Sequence, residues 1–174
     1  MSSSQNVCQE NHMPGKIKPA PPRLIGVISD THGLVRPEVL KVFRGVELIV
    51  HAGDVGDPEV LEILRALAPV VAVRGNVDRG EWAQDLEDTE VVEVGEFRFY
   101  VLHNVHELAL DPLAGGFDAV ISGHSHCPSK ETRQGVLFLN PGSAGPRRFR
   151  LPVSLALLRL EGQSLAAKLI ELGV

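Results

Sequence analysis

Two kinds of hydrophobic pattern follow one another along the chain. Continuous apolar runs are typical of buried parallel strands, and apolar residues at helical spacing, opened by a proline, indicate helices. The first half is predicted to contain, in order, a strand over 24–29, a helix over 37–44, a strand over 47–51, a helix over 58–67 opened by Pro58 and a strand over 70–73. This order predicts a β-α-β-α-β unit with parallel strands.

The second half has the pattern of hairpins, in which apolar runs flank short Gly-containing turn signals. The predicted strands and their turns are 91–94 and 97–102 around Gly95-Glu96, 117–121, 132–140 around Gln134-Gly135, and 155–169 around Glu161-Gly162-Gln163. Together the two halves predict an α/β fold in which two mixed β-sheets pack face to face, with helices outside.

Length and composition predict one folded domain. The 174 residues, 44% of them hydrophobic, suffice for one core, which we place at 23–174. Residues 1–22 are rich in Ser, Gln, Asn and Pro, so we expect a disordered leader or a tag there. We see no disulfide framework in the two cysteines.

Charge and hydropathy narrow the range of partners. The net charge of -5 argues against binding to nucleic acid or to an anionic membrane, because such binding usually starts from a basic surface. No apolar stretch approaches the roughly 18 residues that a membrane span requires. We therefore expect no membrane partner and a cytoplasmic location.

Five apolar runs end in the same kind of polar cluster of Asp, His or Asn, and four of the five clusters also contain Gly. The clusters are Ser29-Asp30-Thr31-His32-Gly33, His51-Ala52-Gly53-Asp54, Arg74-Gly75-Asn76-Val77-Asp78, Leu102-His103-Asn104 and Ser122-Gly123-His124-Ser125-His126. Open α/β sheets bind ligands beyond the carboxyl ends of their strands. The repetition therefore predicts one site built from many loops.

The residue types in these clusters favour a catalytic metal site. Asp30 and His32 are two positions apart, as are His124 and His126, and in an extended chain such side chains point to the same side, so that each pair can share an ion. Nitrogen and oxygen donors without thiolate suit Mn, Fe, Co, Ni or Zn. The candidate ligands are Asp30, His32, Asp54, Asn76, His103, His124 and His126. They are enough for two ions if Asp54 bridges them.

Each cluster alone has a simpler interpretation. Asp30 could cap the following loop, Gly53-Asp54 could be only a turn, and Asn76 could be a residue that tolerates a left-handed conformation. Single buried histidines are often satisfied by the backbone. The combination of all the clusters favours the metal site.

The joint pattern resembles the calcineurin-like metallophosphoesterase superfamily. The pattern is Asp-X-His, Gly-Asp, Gly-Asn-X-Asp, His and Gly-His-X-His, and the resemblance covers residues 23–174. Asn140-Pro141-Gly142-Ser143 and the compact length are similar to its small YfcE-like phosphodiesterase branch. The resemblance implies a four-layer α-β-β-α sandwich with two mixed β-sheets.

The resemblance also implies a ligand set and a mechanism. Asp30, His32 and His126 would hold one divalent ion and Asn76, His103 and His124 the other, with Asp54 bridging both. We expect Mn²⁺ first, with Ni, Co, Fe or Zn as alternatives. A hydroxide that bridges the two metal ions would attack the phosphorus of a small phosphodiester.

The chain departs from the family pattern after Asn76. Most relatives have a His there that is thought to protonate the leaving group, whereas this chain has Val77. His106 is our candidate substitute, although a surface position is the more common case for such a histidine. Asp78 could orient a ligand histidine, form a structural salt bridge or cap a loop.

Positive side chains near the predicted site are candidates for substrate binding. Guanidinium groups suit phosphate oxygens, so we expect Arg79, and Arg148 from the cluster of Arg147, Arg148 and Arg150, to contact substrate together with Asn76. Such a cluster is otherwise typical of a solvated surface. The expected catalytic residues are Asp54, Asn76 and His106.

Three functions are compatible with these residues. The first is a metal-dependent phosphodiesterase of small molecules. The alternatives are a phosphomonoesterase that uses the same site and a non-catalytic scaffold similar to the retromer subunit Vps29. A scaffold has no need of all seven ligands, which favours the enzyme. Apolar edges in the carboxyl-terminal hairpin could support a homo-oligomer.

Overall fold

The computed structural model describes residues 21–174, so residues 1–20 of the predicted leader lie outside the described part of the chain. The strands of this part are β1 (Arg23–Ile28), β2 (Leu48–His51), β3 (Val70–Ala72), β4 (Thr89–Val94), β5 (Phe97–Leu102), β6 (Ala119–Ile121), β7 (Ser129–Arg133), β8 (Val136–Asn140), β9 (Ser154–Glu161) and β10 (Ser164–Glu171). The α-helices are α1 (Pro37–Val42) and α2 (Pro58–Arg65), and 3₁₀ helices form at Glu81–Asp85 and Val105–Glu107.

The predicted β-α-β-α-β unit is confirmed. β1 pairs with β2 and β2 with β3, both in parallel. β9 pairs with the other edge of β1 in antiparallel register, and β10 pairs with β9, which gives the order β10-β9-β1-β2-β3. The first sheet is therefore mixed.

The second sheet has the order β4-β5-β6-β8-β7 and is also mixed. β5, β6 and β8 are parallel, and the predicted hairpins form as β4-β5, β7-β8 and β9-β10. β7 begins at Ser129, three residues before the predicted start at 132. All five of its residues are exposed, so this edge strand gives no hydrophobic signal.

Alternation along the strands separates two apolar cores. Ile25 and Val27 face the second sheet and pack in one cluster with Phe99 and its neighbours. Ile28 points the other way, into the cluster formed with the helices. This period of two places one core between the sheets and another under α1 and α2.

The four layers implied by the resemblance are confirmed, with a short fourth layer. On the outer face of the second sheet, Leu102, Val120 and Val136 are covered in part by Leu108. Leu108 belongs to a segment of turns that follows the 3₁₀ helix Val105–Glu107. Turns therefore occupy this layer, where the first sheet has α-helices.

The helix α2 begins directly after the second polar cluster because the sequence supplies a strong start signal. Asp57 accepts a hydrogen bond from the Glu59 backbone N–H at 2.8 Å, and Pro58 occupies the first helical turn. Val60, Leu61 and Leu64 are buried against the first sheet. The helix thereby fixes where the loop after β2 ends.

The parallel strands bring their carboxyl ends to one edge of the molecule. The loops after β1, β2 and β3 leave the first sheet there, and those after β5, β6 and β8 leave the second. Among residues 21–174, no helix combines the length and apolar character that crossing a bilayer would require.

Candidate metal centre

Asp30, His32 and His126 form the first donor cluster. His126 Nε2 lies 3.3 Å from Asp30 Oδ1 and 3.4 Å from His32 Nε2. The Ser29 hydroxyl donates to Asp30 Oδ2 at 2.6 Å. Asp30 Oδ1, by contrast, is buried and accepts no hydrogen bond from the described residues. An unpaired buried carboxylate oxygen is costly unless a cation compensates it.

Asn76, His103 and His124 form the second donor cluster. Asn76 Oδ1 lies 3.1 Å from His103 Nε2 and 3.0 Å from His124 Nδ1. His103 Nδ1 donates to the Ala52 carbonyl at 2.8 Å. In the neutral ring this bond leaves the lone pair on His103 Nε2, the atom that faces the cluster, as metal-binding histidines require.

Asp54 lies between the two clusters. Its Oδ1 is 3.4 Å from His103 Nε2, and its Oδ2 is 4.0 Å from His32 Nε2. The Val77 backbone N–H donates to Oδ1 at 3.0 Å and holds the carboxylate in this direction. One side chain therefore faces both donor sets.

The spacing argument for His124 and His126 is wrong, because their side chains belong to different clusters. Their φ angles are 68° and 58°, so the backbone is left-handed rather than extended. Asp30 and His32 share this conformation, with φ of 54° and 46°, yet both join the first cluster. Left-handed non-glycine residues are strained and gather at functional sites.

Burial shapes the charges of the first cluster. It raises the pKa of Asp30 to about 6 and, with the positive charge of Arg148, lowers the pKa of His126 to about 4. Burial likewise lowers the pKa of His32. The first cluster therefore favours neutral imidazoles, the form that binds a metal.

The pKa shifts of Asp54 and His103 favour the charged forms instead. Burial opposes both charges, but the contact between Asp54 and His103 outweighs it. That contact and the Val77 N–H lower the pKa of Asp54, while Asp54 and the Ala52 carbonyl raise the pKa of His103. The contact with Asp54 therefore favours the positively charged form of His103 more than in an ordinary histidine.

A buried histidine links the loops after β1 and β2. His51 Nδ1 accepts from the Gly53 N–H at 3.2 Å, so its Nε2 carries the proton in the neutral ring and donates to Thr31 Oγ1 at 2.9 Å. The Thr31 hydroxyl then donates to the Val55 carbonyl at 3.0 Å. In the sequence, His51 is visible only as part of a polar cluster, and nothing there indicates its bond to Thr31.

Two further polar side chains hold the loops, and neither is a ligand. Asp78 accepts backbone hydrogen bonds from Val55, Gly56 and Gly75, so the loop-cap interpretation is correct and the histidine-orienting one is wrong. Asn140 donates to the Gly123 carbonyl at 2.7 Å and to Ser125 Oγ at 3.0 Å. Asn140 therefore fixes the loop that carries His124 and His126.

Close contact between loops explains why positions 75 and 123 are glycines. A Cβ on Gly75 would lie 2.0 Å from the Asp54 backbone nitrogen, and one on Gly123 would lie 1.8 Å from Ser29 Oγ. Any other residue would push these loops apart. The Gly-Asn and Gly-His motifs therefore reflect packing of one loop on another.

A depression of about 360 Å³ opens beside the second cluster. Asn76, His103 and His124 line it together with Arg79 and Glu107. A larger depression of about 550 Å³ lies far from the ligands, between the β7-β8 and β9-β10 hairpins. The smaller one is the candidate substrate site, because it contains the chemistry.

The remaining predicted residues differ in their placement. Arg79 lines the depression, and Arg148 is exposed but close enough for its charge to act on His32 and His126. His106 is exposed on the 3₁₀ helix and is not among the residues that line the depression. Its catalytic role stays a prediction.

The donor atoms fit divalent metal ions. Two sets, Asp30-His32-His126 and Asp30-Asp54-His103, have ligand atoms that all lie within 4.8 Å of one another. The unpaired Asp30 Oδ1 and the outward-facing imidazole nitrogens offer hard and borderline donors. These residues could therefore hold the metal that the resemblance implied.

Comparison with known proteins identifies the family of the chain. The calcineurin-like phosphoesterase superfamily domain matches residues 24–163. A probable metallophosphoesterase of Methanothermobacter thermautotrophicus is 40% identical over 162 residues, which cover 86% of this chain and 93% of that protein. A phosphodiesterase of Methanocaldococcus jannaschii is 31% identical over 137 residues, covering 68% of this chain and 82% of that protein.

The fold also matches solved structures. Vacuolar protein sorting 29 from Cryptosporidium parvum aligns with a TM-score of 0.72, at 20% identity, over 86% of this chain and 98% of its own. At that identity the match concerns the fold alone. The chain belongs to the calcineurin-like phosphoesterase superfamily, a family of metal-dependent phosphoesterases, and the predicted enzyme class is confirmed.

Proposed function

We propose that this chain is a two-metal phosphodiesterase that hydrolyses small phosphodiesters. The observation that carries the proposal is the position of Asp54 between two separate donor clusters, 3.4 Å from His103 and 4.0 Å from His32. A single-ion site would not need a carboxylate that faces both sets. A bridging carboxylate is typical of two-metal hydrolases.

The roles of the residues follow from their grouping. Asp30, His32 and His126 would hold one divalent ion, Asn76, His103 and His124 the other, and Asp54 both. Mn²⁺ is the first candidate, with Ni, Co, Fe or Zn as alternatives. When bound, such ions lower the pKa of water and offset the charge that develops on the phosphoryl oxygens.

The chain's own residues would orient the substrate beside this centre. Asn76 lines the depression, where its amide could contact a phosphoryl oxygen, and Arg79 adds positive charge at the same depression. Arg148 adds positive charge from the side of the first cluster. Guanidinium groups suit the non-bridging oxygens of an anionic diester.

Small substrates suit the site better than nucleic acid. The depression of about 360 Å³ has the size of a small-molecule pocket. The net charge of -5 offers no basic surface for a long polyanion. We therefore propose a small-molecule phosphoester as the partner, acted on by a catalytic domain at 23–174 in the cytoplasm.

The experiment that tests the proposal is hydrolysis of bis(p-nitrophenyl) phosphate and p-nitrophenyl phosphate by metal-stripped protein. Mn²⁺, Ni²⁺, Co²⁺, Zn²⁺ or Mg²⁺ is then added back separately. We expect metal-dependent cleavage that favours the diester. Cleavage of the monoester alone would instead identify a phosphomonoesterase.

A pair of Asp variants shows whether the cleavage belongs to this centre. Asp54→Asn removes the shared carboxylate, and we expect it to abolish turnover. Asp57→Asn is the matched control: it removes a carboxylate three positions away, while Asn caps helices about as well as Asp. No turnover by the wild type with any metal would contradict the enzyme and favour the scaffold.

The candidate proton donor needs a separate test. We propose His106 as the general acid in the absence of a His at Val77, although it stands outside the depression. His106→Ala should then remove the basic limb of the pH-rate profile for diesters with poor leaving groups. An unchanged profile would assign His106 to the surface.

A further inference from the structure

The loop over 144–152 is tied to the first donor cluster at its start. Ala144 and Gly145 donate backbone hydrogen bonds to the carbonyls of Ser29 and Asp30, at 3.1 Å and 3.2 Å. At its base, Ser143 and Ser154 close the loop through a backbone bond of 2.9 Å. These bonds therefore hold the base of the loop beside the first donor cluster.

This anchoring keeps the tip of the loop near the metal ligands. Phe149 follows Gly145 by four residues, so its Cα lies within about 14 Å of that anchor even in a fully extended chain. The neighbouring Arg148 is near enough for its charge to act on His126 and His32. The tip therefore lies within about 14 Å of an anchor on Asp30, on the side of the first donor cluster.

Packing does not explain the exposed position of Phe149. Its side chain is 94% exposed, far more than the next most exposed large apolar residue of the described chain, Leu113 at 54%. It also stands at a φ of 53°, in a turn that the Leu151 N–H closes on the Arg148 carbonyl at 3.1 Å. Glycine suits that position, and phenylalanine is strained there. Strain without packing indicates a function.

The charged residues next to Phe149 in the chain indicate what kind of ligand its ring contacts. Arg147, Arg148 and Arg150 are its neighbours in the chain, and none of the carboxylates in residues 21–174 forms an ion pair with these three side chains. Unpaired guanidinium groups in an acidic chain attract anions locally. An exposed aromatic ring among them is suited to a planar ring on the same anion.

We propose that Phe149 stacks on a planar aromatic group of the substrate while the adjacent arginines hold its phosphate. The substrate class is then a phosphoester that carries a nucleobase or an aryl group. This inference rests on the proposed function, because it assigns the substrate of that same site.

Equilibrium binding tests the stacking without turnover. Isothermal titration of the Mn²⁺-loaded protein would compare phenylphosphonate with methylphosphonate and AMP with ribose 5-phosphate, so that each pair differs by the ring. Phe149→Gly removes the ring and relieves the strained φ, so the fold is retained. Phe149→Trp keeps a ring of greater area.

Stacking of a base on an aromatic side chain is usually worth a factor of about 5 to 150 in affinity. We expect Phe149→Gly to weaken phenylphosphonate or AMP by about tenfold and to leave the ring-free partner within about twofold, while Phe149→Trp binds as the wild type does. A larger loss for AMP would identify a nucleobase, and a larger loss for phenylphosphonate an aryl ester.

Two results would overturn the proposal. One is equal affinity of wild type and Phe149→Gly for both ring-bearing ligands. The other is the same loss for all four ligands, which would mean that Phe149 only shapes the loop. Diester hydrolysis with no effect of Phe149 would reject the stacking alone, and selective stacking without hydrolysis would reject the proposed activity alone.

Discussion

His51 should make the stability of the fold depend on pH in a way that one substitution removes. The side chain is fully buried, and burial lowers its pKa to about 3. Its two ring nitrogens serve the Gly53 N–H and the Thr31 hydroxyl, so the native state requires the neutral ring. As the pH is lowered, His51 therefore becomes protonated in the unfolded chain at a much higher pH than in the native state.

The sign and size of the effect follow from linkage. With a pKa near 6.5 in the unfolded chain, the stability is full above that value and declines as the pH falls toward the native pKa of about 3. At about pH 5 the unfolded chain is protonated and the native state is not. The pKa of the unfolded state then lies about 1.5 units above the pH, which corresponds to a loss of about 2 kcal/mol.

Urea unfolding of the wild type and His51→Asn, in EDTA so that no metal contributes, would measure this loss. Asn can accept the Gly53 bond but does not titrate. We expect the wild type to lose about 2 kcal/mol more than the variant between about pH 8 and pH 5. Equal losses in both proteins would refute the argument that buried His51 resists protonation.

Three other substitutions test the loops and the missing proton donor. Asp78→Ala should cost about 3 kcal/mol or more in the free energy of unfolding by urea, because three backbone N–H groups lose their acceptor. Gly75→Ala should cost about 1–3 kcal/mol and weaken Mn²⁺ binding in calorimetry, because its Cβ would meet the Asp54 backbone; unchanged affinity would count against the packing argument. Val77→His should raise kcat/KM for alkyl leaving groups by about tenfold or more relative to p-nitrophenyl esters, and a uniform change would contradict a proton-donor role at that position.

The sequence was sufficient to predict the strands that build the site and the residues at their ends. Continuous apolar runs define β1, β2 and β3, and parallel pairing necessarily brings their polar ends together. The edge strand β7 was located less well, because exposure on both faces removes the periodic signal.

The grouping of the ligands could not be derived from spacing alone. Asp30 and His32 meet in one cluster whereas His124 and His126 diverge, although all four residues have a left-handed backbone and each pair is two positions apart. The contacts between loops, which the sequence does not show, determine the grouping. The link between His51 and Thr31 was equally hidden, since it joins residues 20 positions apart. The exposure of Phe149 is likewise a property of the folded loop, because the residue type alone does not show whether a phenylalanine side chain is buried or exposed.

The number of Mn²⁺ ions bound per chain is the measurement that tests the central claim most directly. Equilibrium titration of metal-stripped protein, followed by electron paramagnetic resonance, should show two ions per chain with magnetically coupled spectra, because both clusters face Asp54. A single uncoupled ion at saturation, unchanged in Asp54→Asn, would contradict the two-metal site.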